Sequence, residues 1–556
     1  MTVRTRRALL HGLYLGLSLL FASRFFSITH PTSFAITEGD PALMVWTLQW
    51  VTRALVHDPL HVFAGNTFFP YAHSIVLTDS MVTLAVANAP VRLFTSNPWV
   101  GHDLLIVAAY YLSCVFGSAL ARELTQSEAA AVWGGIFWGF LFYRVHHIGH
   151  LQILSFQFIP AVMLALLRFW RAPGAGRALL FVLAFVAQAL VSWYLAVITV
   201  VILLVVLVFR PWHEIVQWPR AKYYLPIVVV SAAVILPLAR PYRAAFDDST
   251  LADRRTLVNT FGDAVRPADY VTPPDATLAG RLVPKNPYWI WGENTLYIGW
   301  VALVLAVAGV VSMRRARRAV LMGVTLVAVG YVLALGFVSP RLGISLPLHY
   351  LARAFPMLAG LRATARFSLV LYAGVLVLSA LGLSAIVANR AGWWRSLATS
   401  VACAAFLLEV FPFTLPVHAD NPYHVSAPDR AIADYQRSRA TPLVVLHLPI
   451  NYFREPYPVS EAVYMLDSTD HWARIVNGFS GGVPQGFMER MTLLNTLPAD
   501  GAVRLLFDLG VDVVAVHRGA AQRAALLAYF ERQPWASIRP VAGEEFLVLI
   551  DRSKSR

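Results

Sequence analysis

The chain has 556 residues, 58% of them apolar and only 14% charged, with a formal net charge of +14. A soluble domain carries about 25% charged residues, so this composition excludes an ordinary soluble enzyme and implies a polytopic α-helical membrane protein. Nucleic acid is excluded as a partner by the distribution of charge: residues 1–413 hold 31 Lys/Arg against 16 Asp/Glu, and residues 414–556 hold 14 against 15, so the basic excess lies in the apolar part, where it orients helices and meets membrane lipid.

The N-terminus reads "MTVRTRR" and continues apolar with no small-residue cleavage site, which predicts an uncleaved signal-anchor with its N-terminus in the cytoplasm. Directly after it comes "TEGDPALMVW" (37–46), with Glu38 and Asp40 side by side with Gly39. Pro41 opens an apolar stretch containing Trp46, Trp50 and Arg53, the pattern of a helix lying flat at the membrane surface. Asp40 is then its N-cap and Pro41 its first residue. A helix N-terminus also favours an ionised carboxylate, the state a general base needs. Asp58 precedes a proline and reads as a turn residue, and Asp79 as the start of a second juxtamembrane helix.

Apolar runs at 8–28, 102–121, 129–143, 151–169, 178–194, 195–209, 224–239, 295–312, 319–338, 367–388 and 396–413 predict about eleven spans. The connections at 122–128, 170–177, 210–222, 314–318 and 389–395 carry Arg or Lys, so the positive-inside rule places them in the cytoplasm. Loops 29–101, 144–150, 240–294 and 339–366 then lie outside, as does everything after 413. This gives a membrane domain over 1–413 and an extracytoplasmic domain over 414–556. Cys114 and Cys403 both fall in apolar runs and form no disulfide framework.

The external loops hold the remaining candidates. "YRVHHIGHLQ" (143–152) places His146 and His150 at a metal-type i,i+4 spacing without a nearby acid, and offers Arg144, His147 and His150 as substrate or phosphate contacts. Glu293, in "IWGENTLYIGW", is either a helix-start acid or points into a cavity. "GLRATARF" (360–367) puts Arg362 and Arg366 on one face if helical. They lie on the side where topology asks for no basic residue, as headgroup contacts or as an anion clamp for a lipid phosphate. In the tail, strands over 442–450, 511–517 and 544–551 alternate with helices over 484–497, 500–510 and 519–533, the pattern of a small α/β domain. No phosphate loop, Ser-His-Asp pattern or Cys-x-x-Cys pair is present.

The layout resembles the GT-C glycosyltransferases, the membrane family that includes oligosaccharyltransferases, protein O-mannosyltransferases and bacterial lipid A sugar transferases. The likeness lies in a first span, an external loop opening on the acidic Glu38-Gly39-Asp40, many further spans and an external C-terminal domain. "LFYRVHHIGHLQILSFQFIP", "PMLAGLRATARF" and "VNGFSGGVP" also resemble an uncharacterised group of bacterial multi-spanning proteins near that family. The resemblance implies an inner-membrane enzyme that moves a sugar from a polyprenyl-phosphate donor to a glycan, lipid or protein acceptor on the outer face. Asp40 would be the catalytic base acting on the acceptor, with Glu38 beside it. The acidic pair leaves room for a divalent metal ion, and no other cofactor is implied. Two other classes compete. A transporter or flippase of a lipid-linked glycan would show ionisable residues deep in its spans, and few are found. A non-catalytic scaffold would explain neither the acids nor the arginines.

Overall fold

The computed structural model describes residues 2–26, 39–249, 265–283, 293–339, 342–355, 358, 360–361, 363–413, 423–452 and 459–554. The chain forms two compact units. One takes Met1–Thr29, Asp103–Ala239 and Arg254–His418, and the other takes His30–His102, Arg240–Asp253 and Ala419–Arg556.

The first unit is helical and makes the chain a multi-pass membrane protein. Among the described residues, five helices are long and apolar enough to cross a membrane: Pro98–Thr125, Leu151–Arg171, Trp218–Arg243, Ala316–Ala334 and Thr364–Val387. This corrects the expectation of about eleven. The apolar runs at 178–194, 195–209 and 295–312 become helices Ala175–Ala189, Trp193–Val208 and Trp300–Val311, of 15, 16 and 12 residues. At about 1.5 Å per residue each falls short of a hydrocarbon layer about 30 Å thick. The run at 129–143 likewise breaks, into Glu128–Gly139 and the five-residue helix Phe142–His146. Hydropathy counts apolar length and does not register where backbone turns interrupt it.

Helix Ser368–Val387 is buried along most of its length and packs against Trp300–Val311 and Met313–Ala334. Small residues allow that approach, as expected where helices associate in lipid without a hydrophobic driving force. A Cβ on Gly382 would stand 1.9 Å from the Leu305 carbonyl oxygen. Glu409, in helix Gly392–Val410, is buried and caps a neighbouring helix. Its carboxylate accepts from the Trp300 N–H and the Tyr297 hydroxyl, and from the Val301 N–H at 3.3 Å. An acid among apolar residues thus satisfies the donors that start Trp300–Val311.

The second unit contains a five-stranded sheet: β1 (Val444–Leu448), β2 (Arg474–Ile475), β3 (Val513–Val516), β4 (Ala536–Ala542) and β5 (Glu545–Ile550), in the order β2-β1-β3-β5-β4. β1 pairs parallel with β2 and β3, while β5 pairs antiparallel with β3 and β4. Helices Phe487–Leu494, Asp500–Asp508 and Arg523–Phe530 form where the pattern predicts them, and β1, β3 and β5 likewise. β2 and β4 were not anticipated: β2 is only two residues long, and β4 carries Arg539 and Pro540 among partly exposed neighbours.

The first loop contributes to this same unit. Ile475 of β2 donates to the Asn66 carbonyl at 2.7 Å, Phe69 donates back to Ile475 at 3.0 Å, and Phe68 joins the apolar core of the sheet. Helix Asp40–His57 is buried from Pro41 to Gln49 and packs against Val459–Asp467 and Val82–Asn88. It does not present a single apolar face as an interfacial helix does.

Candidate functional site

The first unit brings three of the anticipated residues together. Glu293 lies on the connection that leads into Trp300–Val311, and Arg366 in the 3-10 turn Thr364–Phe367 that begins the buried helix. The Arg366 guanidinium grips Glu293 with two groups: Nε donates at 3.1 Å to both carboxylate oxygens and Nη2 at 2.5 Å to Oε1. The Tyr194 ring lies 4.6 Å from the guanidinium carbon. His147, fully buried, sets Nε2 3.5 Å from Glu293 Oε2, with the Tyr143 ring 4.2 Å from its own. Burial would push the Glu293 carboxyl up, but the adjacent Arg366 guanidinium more than offsets this and holds it well below the usual carboxylate range. Burial drives His147 well below its ordinary value against the pull of Glu293, so the ring is neutral. His146 is pushed down to about 4, again chiefly by burial.

A neutral buried imidazole needs one donor and one acceptor partner, yet among the described residues neither ring nitrogen of His147 has a hydrogen bond, and neither does the buried Tyr143 hydroxyl. Buried polar groups left unpaired in a native fold call for water, an ion or a ligand. The cluster therefore combines one ionised acid, one guanidinium and two unsatisfied polar side chains, which suits a charged, hydroxyl-bearing ligand.

The other anticipated residues are placed differently. Arg144 is fully buried, donates to the Leu154 carbonyl and to Ser113 Oγ at 2.7 Å, and stacks 3.8 Å over Phe156. The His150 ring lies 5.7 Å from that of His147. Arg362 and Glu38 lie outside the described residues, and Arg366 stands in a 3-10 turn rather than an α-helix, so the shared-face argument for the arginine pair does not apply. Asp40 belongs to the second unit. It is the first helical residue rather than the cap. The cap is Gly39, whose φ of +65° suits glycine, and Asp40 remains an acid in the first turn.

The second unit holds a cluster that sequence reasoning missed. Asp429, His447 and His471 are fully or almost fully buried, and their ligand-type atoms lie within 4.8 Å of one another. His471 Nε2 is 3.0 Å and His447 Nε2 3.7 Å from Asp429 Oδ1. Among the described residues His447 Nε2 has no hydrogen-bond partner, while its Nδ1 is 3.0 Å from His517 Nε2. Two imidazoles and a carboxylate, with one imidazole steered by an outer partner, form a donor set capable of coordinating a divalent metal ion. The Ala473 N–H donates to His471 Nδ1 at 3.0 Å, so Nε2 carries the proton given to Asp429. A cation must displace that proton. The signal available beforehand was a histidine within the apolar strand "PLVVLHLPI". Asp429 and His471 carry no local signature, since only the fold joins them to His447.

Residues 13–411 match a family model described as "Domain of unknown function (DUF6311)". No curated protein matches the sequence. Among solved structures, the arabinofuranosyltransferase AftD from Mycobacteria superposes with a TM-score of 0.58 at 13% identity, covering 99% of this chain and 40% of that one. The Archaeoglobus fulgidus oligosaccharyltransferase, captured with a tethered acceptor peptide, superposes with a TM-score of 0.51 at 11% identity over 91% of this chain and 68% of that one. The present chain thus spans about two fifths of the length of the mycobacterial protein. At such identities the likeness is one of fold alone.

Proposed function

Because this chain belongs to the DUF6311 family, whose matched region 13–411 contains the whole Arg366–Glu293–His147 cluster, we propose that the family members sharing this cluster are GT-C-type glycosyltransferases. The reaction is transfer of a sugar from a polyprenyl-phosphate donor to a hydroxyl acceptor on the extracytoplasmic side. The observation that carries this reading is the cluster itself: a guanidinium held by an ionised acid beside a buried imidazole neither of whose nitrogens is hydrogen-bonded among the described residues. Such a guanidinium favours the negative charge that develops on a phosphate leaving group. Nε and Nη2 of Arg366 are engaged by Glu293, which leaves Nη1 outside the pair to meet the phosphate. His147 and His150 are assigned to the donor's polar groups, and Arg144 to holding this loop through Leu154 and Ser113.

In the transfer the acceptor oxygen bonds to the anomeric carbon and the bond from that carbon to the phosphate oxygen breaks. The acceptor proton goes to a carboxylate, which we assign to Asp40, an acid in the first turn of its helix. Residues 1–413 form the membrane domain and 414–556 the extracytoplasmic domain in this reading.

Polyprenyl phosphate is released whichever sugar moves, so its appearance from a panel of polyprenyl-phosphate sugars tests the proposal without knowing the sugar. Asp40→Asn keeps the size of the side chain and a carbonyl oxygen acceptor but cannot take a proton. It should fold and bind polyprenyl phosphate like the parent and release product at least about 100-fold more slowly. Parental rates in Asp40→Asn return that residue to a structural role. An inactive parent across the panel removes the glycosyltransferase reading.

A further inference from the structure

A cleft of about 960 Å³ opens among helix ends of the first unit. Its walls come from the start of Val3–Ala22, the junction of Pro98–Thr125 with Glu128–Gly139, the end of Ser368–Val387 and the start of Gly392–Val410. Its charged lining is Arg6, Arg395 and Glu128, surrounded by the hydroxyls of Ser127, Ser384 and Thr399. Glu128 is already neutralised by Arg122 at 2.6 Å, so the two other arginines leave the cleft with a positive excess. Among the described lining residues there is no aromatic ring, and with none the cleft offers no cage for a quaternary ammonium group.

We propose that this cleft binds the headgroup of an anionic phospholipid. Guanidinium groups with hydroxyls are the donor set that matches phosphate oxygens, and Val132 and Val387 give apolar wall for the glycerol and upper acyl carbons. The volume lies within the roughly 300–1,000 Å³ of ordinary small-molecule sites. The helix ends concerned carry Arg122, Arg390 and Arg395, the basic ends that the positive-inside rule assigns to the cytoplasm. That leaflet is the one rich in anionic lipid, and basic pockets between spans on that side recognise such headgroups. The site shares no residue with the Arg366 cluster, so it stands whether or not the proposed transfer reaction does.

The test uses the full chain in nanodiscs of phosphatidylcholine alone and of phosphatidylcholine with phosphatidylglycerol. Retained lipid is read by native mass spectrometry, and the unfolding midpoint by light scattering. Phosphatidylglycerol should be retained by the parent and should raise its midpoint. Arg6→Gln with Arg395→Gln should weaken retention by at least about 10-fold and remove most of the midpoint gain. Both arginines are solvent-exposed, so the fold tolerates the change. Arg177→Gln, an exposed arginine away from the cleft, is the control and should behave as the parent. Equal retention by the double variant and the parent overturns the site. Equal protection by glycerol phosphate without phosphatidylglycerol shows a soluble anion site instead and overturns the lipid assignment.

Discussion

Arg366 and Glu293 are each costly to bury alone and tolerable together. Their side chains are 11% and 19% exposed, so most of the desolvation cost applies. Breaking such a pair by removing one partner typically costs about 3–5 kcal/mol. Glu293→Gln should therefore destabilise the chain by about 3 kcal/mol in denaturant unfolding. Glu293→Gln with Arg366→Met should recover most of that loss while still failing to bind polyprenyl phosphate, separating structural from ligand-binding roles. Glu461 supplies a pH test in the second unit. It is fully buried, accepts from the Asn451 N–H at 3.0 Å and from Asn477 Nδ2 at 2.9 Å, and burial raises its carboxyl to about 7. A carboxyl raised above its unfolded value contributes stability that is fully present below that value, near pH 4.5, and lost as pH rises through the folded value. The parent should lose roughly 3 kcal/mol between about pH 4.5 and 7 from this group, and Glu461→Gln should remove that slope in unfolding measured across the window. The Asp429–His447–His471 cluster yields a third expectation. Added Zn²⁺ should raise the unfolding midpoint of the parent but not of His447→Ala, with the gain shrinking at lower pH because uptake expels a proton.

Helices decide how closely the groups of the first unit can approach. Gly382 faces the Leu305 carbonyl, where an added Cβ would stand 1.9 Å away, and Gly374 faces the Gly323 carbonyl at 2.5 Å. Backbone lies on the far side of both contacts, so neither can yield by a rotamer change. Gly382→Ala should separate Ser368–Val387 from Trp300–Val311 and lower the unfolding midpoint measurably, whereas Gly392→Ala, with open space around its Cβ, should be close to neutral. The main apolar elements were legible in the sequence because side-chain composition registers directly in hydropathy: the five long spans fall on five of the expected runs. The breaks were not, because the turn after Gly139 and the stop of Ala175–Ala189 at Leu190 occur inside apolar sequence. Glu409 could be singled out as an unusual acid in a span, but its task as the cap of Trp300–Val311 depends on a helix more than 100 residues away in the chain.

At the scale of the whole molecule, the unit that contains the sheet is assembled from three separated stretches of chain. Asn66 and Phe69 bond to β2, and Phe68 packs into the sheet core with Phe487 at a ring distance of 4.9 Å. A fragment limited to 423–556 would expose that edge and part of that core. It should therefore aggregate or unfold without cooperativity in circular dichroism, whereas in a protein with all three stretches present this unit should melt in one transition. The membrane class, the α/β pattern of the tail and the residue types of the candidate site can be read from the amino-acid order alone, since composition and periodicity are local properties. That order also marked His147, Glu293 and Arg366 as unusual in their places. That these three meet, that Arg144 bonds to Leu154 and Ser113, and that Asp429 and His471 join His447 emerges from the folded chain alone. The physical reason is the same each time: ion pairs, ligand sets and sheet edges form between residues far apart in the chain. Their partners are selected by packing and desolvation, which no local pattern of residues records.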